Sequence, residues 1–62
     1  MTIHFRESVD FLYALRLLDK SDLKGQFDES YRGLVLTFES KETTSAAWVL
    51  VKDHMTAPMW MD

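Results

Sequence analysis

A chain of 62 residues that contains no cysteine has to hold its shape by apolar packing alone. Domains near this length bury only about 60% of the surface they expose when unfolded, and small secreted folds make up the deficit with disulfides. That route is closed here, as are thiolate metal sites and thiol nucleophiles, so a reducing, cytoplasmic setting is expected. What stands in place of the staples is a hydrophobic content of 47%, including Phe5, Phe11, Phe27, Phe38, Trp48 and Trp60, too high for a disordered chain of this charge. Residues 1–62 are therefore expected to form a single compact domain around one core. No apolar run is long enough to span a bilayer, and "MTIHFRESVD" has acids where a signal peptide would have an apolar stretch.

The patterning divides the chain into short elements. Residues 2–6, "TIHFR", alternate, with Ile3 and Phe5 on one side and Thr2, His4 and Arg6 on the other, which predicts a strand. The period then lengthens: Phe11, Leu12, Leu15 and Leu18 recur at helical spacing, Ser8 is a candidate cap and Asp10 meets the positive end of the dipole, giving a helix over about 8–20. Val9, Tyr13 and Leu17 form a second apolar strip on that helix, to be covered by the tail or by a partner. "SDLKG" predicts a capped turn closed by Gly25, and "QFDESYRG" either finishes a short helix or starts a hairpin. "LVLTFES" predicts a strand with Leu34, Leu36 and Phe38 on one face.

"KETTSA" suits a connecting loop, and residues 46–54, "AAWVLVKDH", read as a further strand with Trp48 and Leu50 facing inward. The rival reading is a helix begun at Ser45 that gathers Trp48, Val51 and Met55 on one side. Pro58 ends whatever precedes it, and the closing "MWMD" folds back over the sheet edge or the second face of the helix. The expected fold is α+β: a small antiparallel sheet with one long helix packed across it and short helical turns at the edges.

Little in the sequence points to catalysis. His4 and His54 are the only imidazoles, Asp53 is the only acid adjacent to either, and a metal site needs more converging ligands than these. The serines fall in capping and loop contexts, and Gly25 and Gly33 are isolated and cradle no phosphate. No catalytic residue, metal or cofactor is assigned, and no enzymatic activity is expected. Ten acids against seven singly scattered bases give a net charge of −3, which disfavours direct nucleic-acid binding. Binding to protein remains, and Tyr13, Tyr31, Trp60, Met55, Met59 and Met61 are of the residue types that interfaces favour.

In length, lack of cysteine and mild acidity, carried by Asp19, Asp22, Asp28, Glu29, Glu39, Glu42 and Asp53, the chain resembles the small inhibitor proteins of the anti-CRISPR type that phages and other mobile elements use against host machinery. The resemblance spans the whole chain and involves no shared motif. It implies a non-enzymatic inhibitor, working in the cytoplasm of a host bacterium, that binds a protein complex handling nucleic acid, such as a CRISPR effector. Carboxylates of Asp28, Glu29, Glu39, Glu42 and Asp53 would then lie where phosphates otherwise bind. In the strongest nucleic-acid mimics acids greatly outnumber bases; here they do not, so mimicry requires a local concave or flat acidic patch.

A second reading belongs to a different class. A homodimerising structural or regulatory module would hide surplus apolar surface through Val9, Tyr13, Leu17 and the tail residue Trp60. The inhibitor reading favours a monomer, and the two part over oligomeric state.

Overall fold

A computed structural model describes every residue from Met1 to Asp62. Strand β1, Thr2–His4, leads to helix α1, Ser8–Asp19, and then to strands β2, Phe27–Ser30, and β3, Val35–Phe38. Helix α2, Lys41–Val51, runs into a 3₁₀ turn at Lys52–His54, and strand β4, Trp60–Met61, closes the chain. All strand pairs are antiparallel, in the order β2-β3-β1-β4. Each helix thus joins two strands that flank a third: α1 crosses over β3 and α2 crosses over β1. This is the split β-α-β connectivity of ferredoxin-like folds, an architecture that by itself carries no function.

Register decides which side chains meet the helices. Ile3 opposes Leu36 and Phe27 opposes Phe38, so these four share one face, as does Met61 opposite Ile3. Phe11, Ala14 and Leu18 of α1 and Ala47 and Val51 of α2 are buried in the same cluster as Ile3, Phe5, Leu36 and Phe38. Both helices therefore lie on that face. The other face, with Thr2, His4, Asp28, Val35, Thr37 and Trp60, carries no helix.

The α+β class and the small antiparallel sheet agree with expectation; a single long helix does not. The molecule has two helices of nearly equal length, 12 and 11 residues. The segment read as a loop at 41–46 and a strand over 46–54 is α2 with its 3₁₀ extension. Its start is fixed by Ser40, five residues earlier than the rival reading placed it. The Ser40 hydroxyl accepts from Thr43 N–H at 3.2 Å, and the Thr43 and Thr44 hydroxyls donate back to the Ser40 carbonyl at 3.1 and 2.7 Å. These bonds cap the helix and satisfy the buried Thr44 side chain. Thr44, Ala47 and Val51 then recur at helical spacing, and Val51 turns inward, opposite to what the strand reading requires.

Two smaller expectations also change. The cap position of α1 is Glu7, with no side-chain bond, and Ser8 is the first helical residue. The stretch "FDES" resolves as a hairpin arm. Its turn ends at Leu34, whose φ of 54° lies in the left-handed region usually left to glycine. Packing of Leu34 against the core offsets that strain, and its carbonyl accepts from Phe5 N–H at 2.9 Å.

Candidate functional site

The expected acidic residues divide among separate places. Asp28 lies on β2 opposite Thr37, and Glu39 follows directly on β3. Both line the largest concavity of the molecule, about 580 Å³, between the open end of the β2–β3 hairpin and the first turn of α2. Its lining also includes Phe27, Phe38 and Thr43, and no lysine or arginine. Gly25 at its lip has a φ of 77°, a conformation that lets the chain turn tightly before β2. Glu42 is exposed in the first turn of α2, two residues beyond the groove-lining Ser40.

The other two acids are elsewhere. Glu29 pairs with Leu36 and therefore points to the helix-bearing side, where it lines a separate hollow with Leu15, Arg16 and Asp19. Asp53 is in the 3₁₀ turn at the far end of α2, about 16 Å from Glu42 along the helix axis. The five carboxylates are thus not one patch; Asp28 and Glu39 are the pair that shares a site.

The apolar candidates are likewise separated. Val9 is 61% exposed on α1, beside exposed Leu12 and Tyr13, and these three with Arg16 enclose a shallow hollow of about 240 Å³. Leu17 instead packs against the core. The Tyr13 ring meets His54 edge-on, 5.6 Å between centroids, which places Tyr13 beside the end of α2, where Val49 and Leu50 are also exposed. The strip is thus divided: Leu17 is covered by the core and Tyr13 is flanked by His54, whereas Val9 stays exposed. Trp60 lies on the helix-free face of the sheet, 50% exposed, stacked on His4 with 5.2 Å between centroids and 2° between planes.

Asp10 is the residue whose importance the sequence concealed. It lies in the first turn of α1 as expected, but on the inward side, 3% exposed. Its carboxylate accepts from Thr56 N–H at 3.0 and 3.1 Å, from the Thr56 hydroxyl at 3.0 and 3.2 Å, and from Ala57 N–H at 3.0 Å. The helix dipole and three donors hold a charge that would otherwise be costly to bury. The signal was its position four residues before Ala14 and next to Phe11, on the buried stripe. Its partners, 46 residues away, left no signal.

At the chain's end, His4 Nε2 donates to Asp62 Oδ1 at 3.3 Å. That bond, aided by nearby positive charge, lowers the exposed Asp62 carboxyl below its usual 3.8. No three His, Asp or Glu side chains converge as metal ligands, and every buried side-chain polar atom has a hydrogen-bond partner. His54 sits in the 3₁₀ turn rather than on a strand. No protein family, curated protein or solved structure matches this chain.

Proposed function

We propose that this chain is a non-enzymatic inhibitor that binds a basic surface of a nucleic-acid-processing protein complex, of the kind a CRISPR effector presents. The observation that carries this reading is the groove in which Asp28 and Glu39 face the same space with no basic residue among its lining. A chain of net charge −3 has too few surplus acids to mimic nucleic acid over its whole surface, so a local concave site is what such mimicry needs. Phe27 and Phe38 add apolar surface to the lining of the same groove, and the β2–β3 pairing fixes the position of Asp28.

The test is target-DNA binding by purified CRISPR effector complexes with the chain added. Inhibition is expected against at least one effector and should weaken as salt rises, because the contact is between charges. Asp28→Lys with Glu39→Lys should abolish it, whereas Glu29→Lys, outside the groove, should retain it, with both variants showing the parent's circular dichroism. Inhibition that survives the double reversal, or its absence against every effector class, would overturn the reading.

A further inference from the structure

Strand β2 is an outer strand of the sheet, and the hydrogen bonds of its neighbour fix which of its main-chain groups are open. Phe38 N–H donates to the Met1 carbonyl at 2.7 Å, and the Phe38 carbonyl accepts from the Met1 ammonium at 2.9 Å. Both polar groups of Phe38 thus face β1. Bonding direction alternates along an antiparallel strand, so Leu36 also faces β1, while Val35 and Thr37 face β2. Ser30 and Asp28, opposite these two, carry the bonds of the hairpin, and the N–H and C=O groups of Phe27 and Glu29 point out of the sheet. No turn or loop bond takes them up.

We infer that the target docks on this edge: an extended segment of it adds to β2 as a fifth, antiparallel strand, with a lysine or arginine opposite Asp28. The basic character of that segment rests on the inhibitor reading above; the open edge does not. Main-chain bonds of this kind give affinity, and the side chains that alternate along the added strand give specificity.

Both faces of the edge suit such a segment. Residues of an added strand opposite Phe27 and Glu29 share their face, where those two line a hollow of about 270 Å³ with Leu15, Arg16 and Asp19. Apolar side chains there meet Leu15 and Phe27. The residue between them lies on the other face, opposite Asp28, on the side of the groove shared with Glu39. It forms a non-hydrogen-bonded pair with Asp28, the kind in which Cα atoms come within about 4.5 Å and side chains are closest. A cation there meets the Asp28 carboxylate at the shortest range a sheet allows.

A second copy of this chain is a poor occupant. Two β2 edges that pair through their open groups set Phe27 against Glu29 twice, and Asp28 directly opposite Asp28 at the centre. Like charges directly opposite destabilise a sheet. The carboxylate that attracts a basic strand therefore keeps this edge from pairing with itself, a common protection of edge strands.

The probe is an acetylated, amidated heptapeptide that alternates valine with lysine and has lysine at its centre, titrated into the isotope-labelled full chain. The amide signals of Phe27 and Glu29 should move downfield and exchange more slowly with solvent, with a dissociation constant of about 1 mM or tighter. Aspartate at the centre of the peptide should weaken binding by at least about tenfold. N-methylation of the two central valines removes the peptide's own donors, leaves the protein intact and should abolish binding. Glu29→Pro removes an outward N–H and no ladder bond, which edge strands tolerate, and should abolish binding with the circular dichroism unchanged. Glu29→Lys keeps that N–H and should still bind. Against an effector that the parent chain inhibits, Glu29→Pro should lose inhibition. Inhibition that survives Glu29→Pro overturns the docking mode and leaves the inhibitor reading standing; peptide binding at the edge with no effector inhibited does the reverse. No change at Phe27 and Glu29 up to about 5 mM peptide, binding that survives Glu29→Pro or N-methylation, or equal loss with Glu29→Lys would also overturn it.

Discussion

Asp10→Ala is expected to lower the stability of this protein by about 3 kcal/mol, although the residue lies on no proposed binding surface. The substitution removes the acceptor for Thr56 N–H, the Thr56 hydroxyl and Ala57 N–H together. Hydrogen bonds to a charged group contribute about 1.5–3 kcal/mol each, but Thr56 is exposed, so water recovers part of the loss. The favourable placement of a carboxylate in the first turn of α1 is lost as well. At roughly 4–8 °C per kcal/mol for a domain of this size, the melting temperature should fall by about 15 °C. Asp10→Asn keeps the shape but turns an amide toward donors, and should lose about 2 kcal/mol. Urea denaturation of both variants measures this. A change below about 0.5 kcal/mol would show that the bonds between α1 and residues 56–57 are not what holds the tail.

That bond set also explains why the tail looked anomalous. Residues 54–62, "HMTAPMWMD", carry three methionines and a tryptophan where a chain end is usually polar and loose. A clasp over the sheet edge was legible from Pro58 and the apolar residues after it, and β4 pairs with β1 at that edge. The means of attachment was not legible. It is a carboxylate from the first helix reaching backbone donors 46 residues later, and no local pattern records so distant a pairing.

The same distinction separates what the sequence showed elsewhere from what it hid. Strand β1 and helix α1 follow from local alternation and helical period, and Ile3, Phe11 and Leu18 are buried as their spacing requires, but Leu12 of the expected stripe is exposed and Ala14 takes its place in the core. In 46–51 every residue is apolar, so neither period is visible, and β-branched Val49 and Val51 tilt the reading toward a strand. The deciding signal lay upstream in "SKETT", a serine cap followed by an acid in the first turn, which reads equally well as a polar loop. Tertiary context settles the matter: the position beside β1 is taken by Trp60 and Met61, leaving residues 41–51 to cover the core as a helix. The groove that joins Asp28 to Glu39 depends on the hairpin register, which brings Phe27 opposite Phe38 across a turn the sequence left undecided.

Phe11→Ala should have the largest effect of any single substitution here, and comparison with Trp60→Ala shows why burial outweighs residue size. Phe11 is fully buried, and its ring meets Phe5 and Tyr31 edge-to-face, each with centroids 5.8 Å apart. Truncating a buried phenylalanine costs about 3–5 kcal/mol, through lost transfer energy and the cavity left behind. A single core in a domain this small rarely provides more than about 3–5 kcal/mol in total. Phe11→Ala is therefore expected to be largely unfolded at 25 °C, with collapsed amide dispersion in its NMR spectrum. Trp60 is the larger side chain, but half of it faces water and its main contact is the stack on His4. Trp60→Ala should cost only about 1 kcal/mol, the scale of a stacked aromatic pair, and stay folded. If it unfolded the chain as Phe11→Ala does, the tail would belong to the core; a mild loss would instead mark β4 as an edge strand held by its backbone and by Asp10.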